Sequence, residues 1–97
     1  MRLSTRIIKI LKEACSESFN EHELYLFGSR TDDSRQGGDI DLAIKANIDK
    51  NLFRKNKIKF KTFLFRKGYD LKIDLIHISE GINKLLLDEI KSNWIRL

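Results

Sequence analysis

Apolar positions along this chain fall into two rhythms, and their alternation predicts an order of elements. From Ser4 to about Phe19 the residues Ile7, Ile8, Leu11, Ala14, Cys15 and Phe19 recur every three or four positions, the period of a helix that buries one stripe. Ser4 or Thr5 supplies its cap. Asn20, Glu21 and His22 then turn the chain, with His22 read as a solvated loop residue. The apolar run from about Glu23 to Phe27 predicts a short buried strand that ends in Gly28-Ser29. A second run, DIDLAIK from Asp39 to Lys45, alternates. Neighbouring strand side chains take opposite faces, so Asp39, Asp41 and Ala43 share one face and Ile40, Leu42 and Ile44 the other.

Beyond that strand, roughly Ile40 to Lys45, the segment from Ile48 to Lys67 fits a helix capped by Asp49, with Phe53, Phe60, Phe63, Leu64 and the stem of Lys67 facing inward. Its KNKIKFK stretch also alternates as a strand would. The length of the segment, and the need for a crossover between strands, favour helix. Gly68 stands where a left-handed cap is expected. Tyr69 to Ile78 reads as a strand with Leu71, Ile73 and Leu75 on one face and Asp70, Lys72, Asp74 and Ile76 on the other. His77 falls on the core face by parity and is expected to be packed or hydrogen-bonded there. Ser79 is expected to cap a last helix, about Glu80 to Ser92, with Ile82, Leu85, Leu86 and Ile90 inward. The closing NWIRL adds a short edge strand on which Trp94 packs. These elements predict an α+β domain in two layers, with a small mixed sheet of about four strands and helices mainly on one face.

Composition narrows the picture. Ninety-seven residues with 41% apolar content suit one domain, residues 1–97, with a modest core and no second lobe. Proline is absent, and no linker or internal repeat is visible. Cys15 is the single cysteine, which excludes an internal disulfide and a cysteine-cluster zinc site; it lies on the buried stripe and reads as core. Ile7, Ile8, Ile10 and Leu11 are interrupted by Lys9 and Lys12, an amphipathic pattern and not a signal-peptide core. No run approaches the roughly 18 apolar residues of a membrane span. A soluble protein of the reducing cytoplasm is expected, with no membrane partner.

The net charge of +5 suits an anionic partner, whether a triphosphate, a nucleic acid or an acidic protein. Much of it sits between Ile48 and Lys67, where Arg54, Lys55, Lys57, Lys59, Lys61, Arg66 and Lys67 meet almost no acid. A solvated helix face is the ordinary reading of such a run. Phe60, Phe63 and Phe65 interleave with it as stacking platforms would, but at helical spacing they read as core.

Candidate chemistry gathers between Leu24 and Lys45. Gly28 permits a tight turn and close approach of a phosphate to the backbone, and Ser29 adds a hydroxyl where free N–H groups are expected. Asp39 and Asp41, about 6 to 7 Å apart along one strand face, repel each other unless a cation lies between them. Hard divalent cations such as magnesium favour such oxygen ligands; a solvated strand start is the plainer alternative. Arg30 reads equally as a phosphate contact or as a surface partner of Asp32 or Asp33. Asp74, flanked by Ile73 and Leu75 within a strand, is costly unless a cation or hydrogen bond compensates.

Taken together, Gly28-Ser29-Arg30, the polar segment to Gly38 and then Asp39-Ile40-Asp41-Leu42 resemble the signature of the DNA polymerase beta superfamily of nucleotidyltransferases, above all its minimal MNT-type members. The resemblance covers most of the chain. It implies a palm-like fold in which Gly28, Ser29 and Arg30 bind the nucleotide triphosphate. Asp39, Asp41 and Asp74, the last in the pattern Ile73-Asp74-Leu75, would be catalytic carboxylates that hold two magnesium ions. The loop before Asp39 is one residue shorter than in many relatives, a change loops absorb. It further implies AMP transfer from ATP to a hydroxyl of a HEPN-domain partner, with the chain as antitoxin of a toxin–antitoxin pair. The alternative is a non-catalytic module that neutralises a partner, or holds nucleic acid through the basic helix; self-association stays open.

Overall fold

The computed structural model describes residues 4–20, 22–27, 40–79 and 81–97. Helix α1, Thr5–Ser18, opens at Ser4, whose hydroxyl accepts the Ile7 N–H at 3.2 Å. It closes on the apolar stripe of Ile10, Leu11, Ala14 and Cys15, all buried. Strands β1, Glu23–Phe27, and β2, Ile40–Lys45, keep the bounds their patterns predict and pair antiparallel. Helix α2, Lys50–Arg66, is capped by Asp49, whose carboxylate accepts the Leu52 N–H at 2.7 Å. A crossover of this kind lets β3, Ile73–Ile78, lie parallel to β2. Helix α3, Lys84–Ser92, leads to β4, Ile95–Arg96, which adds to the free side of β1. The sheet order is β3-β2-β1-β4, mixed and four-stranded.

Strand alternation divides the core between the two faces of the sheet. Leu24, Leu26, Leu42, Ile44, Ile73 and Leu75 pack with α1 and α2, where Leu11, Phe19 and Phe60 are fully buried. Tyr25, Ala43 and Ile78 project the other way and pack under Ile90 of α3, with Leu86, Leu87 and Trp94 at the margin. Trp94 stacks on Tyr25, ring centres 3.8 Å apart and 9° from parallel. This is the expected α+β architecture, with two helices on one face and α3 on the other.

The end of α2 follows from its residues. Gly68 has φ +87°, a left-handed backbone that glycine adopts without the cost a side chain adds. Its N–H bonds to the Phe65 carbonyl at 3.0 Å and the Tyr69 N–H to Leu64 at 2.9 Å, the paired bonds of a Schellman closure. Tyr69 is therefore tied back to the helix, and β3 begins at Ile73 and not at Tyr69 as its alternation suggests. Helix α3 also starts later than expected. The Asn83 side chain caps it, accepting the N–H groups of Leu85 and Leu86 at 2.8 and 3.3 Å, whereas the Ser79 carbonyl closes a turn with Ile82. Gly81 in the first turn disfavours the longer helix. Leu85, expected inward, is 79% exposed, since it lies about 140° around the helix from the buried Ile90.

Cys15 has no exposed surface, and burial pushes its thiol up from 9.0 to about 12. Thiolate is the reactive form. At mildly alkaline pH a disulfide-exchange reagent is expected to label Cys15 only after denaturant is added; rapid labelling of the native protein would contradict the packing. The folded chain keeps a proton that the unfolded chain releases, so this contribution to stability is complete below pH 9 and is lost as pH rises toward 12.

Candidate active site

The acids meet where β2 and β3 begin. Asp41 is the second residue of β2 and Asp74 the second of β3, and the parallel register pairs them directly. Ile40, Leu42, Ile73 and Leu75 are buried against α1 and α2, so parity turns both carboxylates to the α3 face of the sheet. Asp41 is half-buried and Asp74 exposed. Side chains so paired on adjacent strands stand about 5 Å apart at their origins, and like charges directly opposite oppose strand pairing.

On its other side Asp41 pairs with Phe27, the last described residue of β1. Phe27 and Ile40 are the described flanks of the segment that carries Gly28, Ser29, Arg30 and Asp39, and those four lie outside the described residues. The chain thus leaves β1 after Phe27 and enters β2 at Ile40 at the end of the sheet where Asp41 and Asp74 stand. Among the described residues no group of three or more His, Cys, Asp or Glu is placed to hold a metal ion. The described pair supplies carboxylate oxygens alone, the donor type a hard divalent cation takes.

A cleft of about 760 Å³ lies at the opposite end of the strands, where Lys45, Ala46, His77 and Ile78 finish β2 and β3. Two of its polar side chains, His77 and Asp49, have structural work. The His77 ring stacks on Phe53, centres 4.5 Å apart, and its Nε2 lies 2.9 Å from the Ala46 carbonyl, which can only accept, so Nε2 donates. This is the packed, hydrogen-bonded imidazole its parity predicts. Asp49 at the cleft caps α2. His22, expected to be solvated, is partly buried there, with Nδ1 enclosed and unpartnered among the described residues; the apolar run directly after it was the available signal.

Glu23 organises that end of β1. The Tyr25 hydroxyl donates to its Oε1 at 2.7 Å and, with Lys45 and Arg96 nearby, holds the carboxyl below the usual range. Burial, and then the bond to Glu23, raise the Tyr25 phenol. These contacts tie β1 to β2 and β4, a whole strand length from the acids.

Comparison with known proteins places the chain. The profile of the family described as "Polymerase beta, Nucleotidyltransferase" matches residues 8–97. No curated protein gives a significant match. Among solved structures, a toxin–antitoxin with AMP-PNP superposes with a TM-score of 0.68 at 18% identity, covering 91% of this chain and 69% of that one. A variant of the toxin–antitoxin MntA-HpeT superposes at 0.65 with 23% identity, covering 98% and 72%. A candidate nucleotidyltransferase from Sulfolobus solfataricus superposes at 0.53 with 26% identity, covering 94% and 78%. With the family profile spanning nearly its whole length, the chain belongs to the polymerase beta nucleotidyltransferase family.

Proposed function

We propose that this protein transfers a nucleoside monophosphate, AMP from ATP, to a hydroxyl of a partner protein, and that the pair is a toxin–antitoxin system with this chain as antitoxin. The observation that carries the reading is the direct pairing of Asp41 with Asp74 at the end of the sheet where β1 ends at Phe27 and β2 begins at Ile40. Two of the structures similar in fold are toxin–antitoxin complexes, one of them with AMP-PNP, and these support the partner and the nucleotide. A HEPN-domain protein is the partner the family resemblance names.

In this reading Asp39, Asp41 and Asp74 would hold two magnesium ions, whose charge would offset that on the reacting phosphate. Gly28 N–H and the Ser29 hydroxyl would hold the terminal phosphates. The acceptor oxygen forms its bond to the α-phosphorus as the bond to the pyrophosphate oxygen breaks. Arg30 offsets charge on the departing pyrophosphate. Asp74, on the more exposed strand, favours loss of the acceptor proton.

The test is incubation with magnesium, ATP labelled at the α-phosphate and candidate HEPN-domain proteins. Label should appear on the partner and vanish with Asp39→Ala. A tight complex that carries no label would instead make the chain a binding module.

A further inference from the structure

Among the described residues one face of α2 has no partner, and its composition is one that a merely solvated helix does not need. Every charged residue from Lys50 to Lys67 is a lysine or arginine, and among the described residues none of them forms an ion pair with a carboxylate. Amid these cations two large apolar side chains point outward, Ile58 at 62% exposure and Phe65 at 71%. They are seven positions apart, so they share a side of the helix about 10 Å from each other along its axis. Arg54, Lys55, Lys61 and Thr62 surround them at helical spacing. Phe65 also lines a groove of about 510 Å³ with Lys61, Tyr69, Lys72 and a single acid, Asp70, which ends at Ile73, the residue before Asp74. The Glu17 side chain reaches the far rim, in a smaller groove with Ile58, Lys59 and Arg66.

We infer that this face of α2 is a docking surface for an acidic amphipathic helix of a partner protein, one that places two apolar side chains two turns apart on Ile58 and Phe65. Charge complementarity sets the sign of the partner: a helix rich in glutamate meets cations that α2 itself leaves unneutralised. Ile58 selects protein over nucleic acid. An aliphatic side chain offers a base no ring to stack on, whereas a leucine packs on it well. The surface stands apart from the acid pair and does not depend on nucleotide transfer. If transfer does occur, a partner so bound lies near β3, the edge strand among the described residues, through the groove that Phe65 and Ile73 share.

The experiment uses a fluorescent, helical, glutamate-rich peptide with two leucines two turns apart, the same peptide with both leucines replaced by alanine, and a single-stranded RNA oligonucleotide. Anisotropy titrations are run on the full chain. The leucine peptide should bind in a salt-sensitive manner, and Ile58→Ala and Phe65→Ala should each weaken it about tenfold. Leu85→Ala, equally exposed but on α3, should not. Asp74→Asn should bind the peptide as the unaltered chain does, which separates failure of this surface from failure of the catalytic reading. Thermal melts confirm that the surface variants fold. Absence of saturable binding, equal affinity for the alanine peptide, affinity unmoved in both variants, or tighter binding of the RNA would each overturn the proposal.

Discussion

Asp74→Asn is expected to lower nucleotidyl transfer about a thousandfold while leaving the metal-free protein as stable as before or slightly more so. The first half follows from the role proposed for the carboxylate. Charge stabilisation at a transferring phosphoryl group is worth several kcal/mol, and each 1.4 kcal/mol is roughly tenfold in rate. The second half follows from the register, which sets Asp74 opposite Asp41 across β2 and β3. Removing one of two facing charges relieves up to about 1 kcal/mol of repulsion, and Asp74 is exposed, so little packing is disturbed. Magnesium gives a readout independent of turnover. A ligand that binds only the folded chain raises its melting temperature, so added magnesium should stabilise the unaltered protein and have a much smaller effect on Asp74→Asn. Full transfer activity in that variant would sink the assignment of Asp74.

The largest stability effect is expected at Phe60. Its ring is fully buried between α2 and the sheet, and Phe60→Ala leaves a cavity that costs about 3 to 5 kcal/mol. That is a large part of the roughly 5 to 15 kcal/mol that holds a domain of this size. The melting temperature should fall by about 15 to 30 °C, at some 4 to 8 °C per kcal/mol. Phe65→Ala, five residues on in the same helix, should change stability by less than about 0.5 kcal/mol because its ring is 71% exposed. Denaturant melts of the two variants make the comparison. Similar losses would mean that Phe65 is packed.

The contrast between these phenylalanines shows where pattern reading succeeds and where it stops. Both sit in one apolar-rich stretch, and both read as core. At 100° per residue, however, Phe65 lies about 140° around the helix from Phe60, off the stripe that Phe53, Phe60 and Leu64 define. The angle was in the sequence. What the exposed ring faces was not.

Local rules settle much else. Ser4 and Asp49 cap the first two helices because their side chains reach N–H groups that the helix leaves free. Gly68 ends α2 because only glycine takes its backbone angle without strain. The alternation of Glu23–Phe27 and Ile40–Lys45 fixes those strands and their faces. Where two local signals compete, as Ser79 and Asn83 do for the start of α3, the winner is the one the packing of Ile82 and Leu86 can use.

By itself, then, the sequence determined the kinds of element, most of their limits, the face on which each acid lies and the family signature, since all of these depend on neighbours a few residues apart. Tertiary structure alone decided that Asp41 and Asp74, more than thirty positions apart, stand directly opposite each other, and that α3 covers the face of the sheet away from α1 and α2. Register between strands and the choice of face are set by packing summed over the whole core, and no single stretch of chain carries that sum.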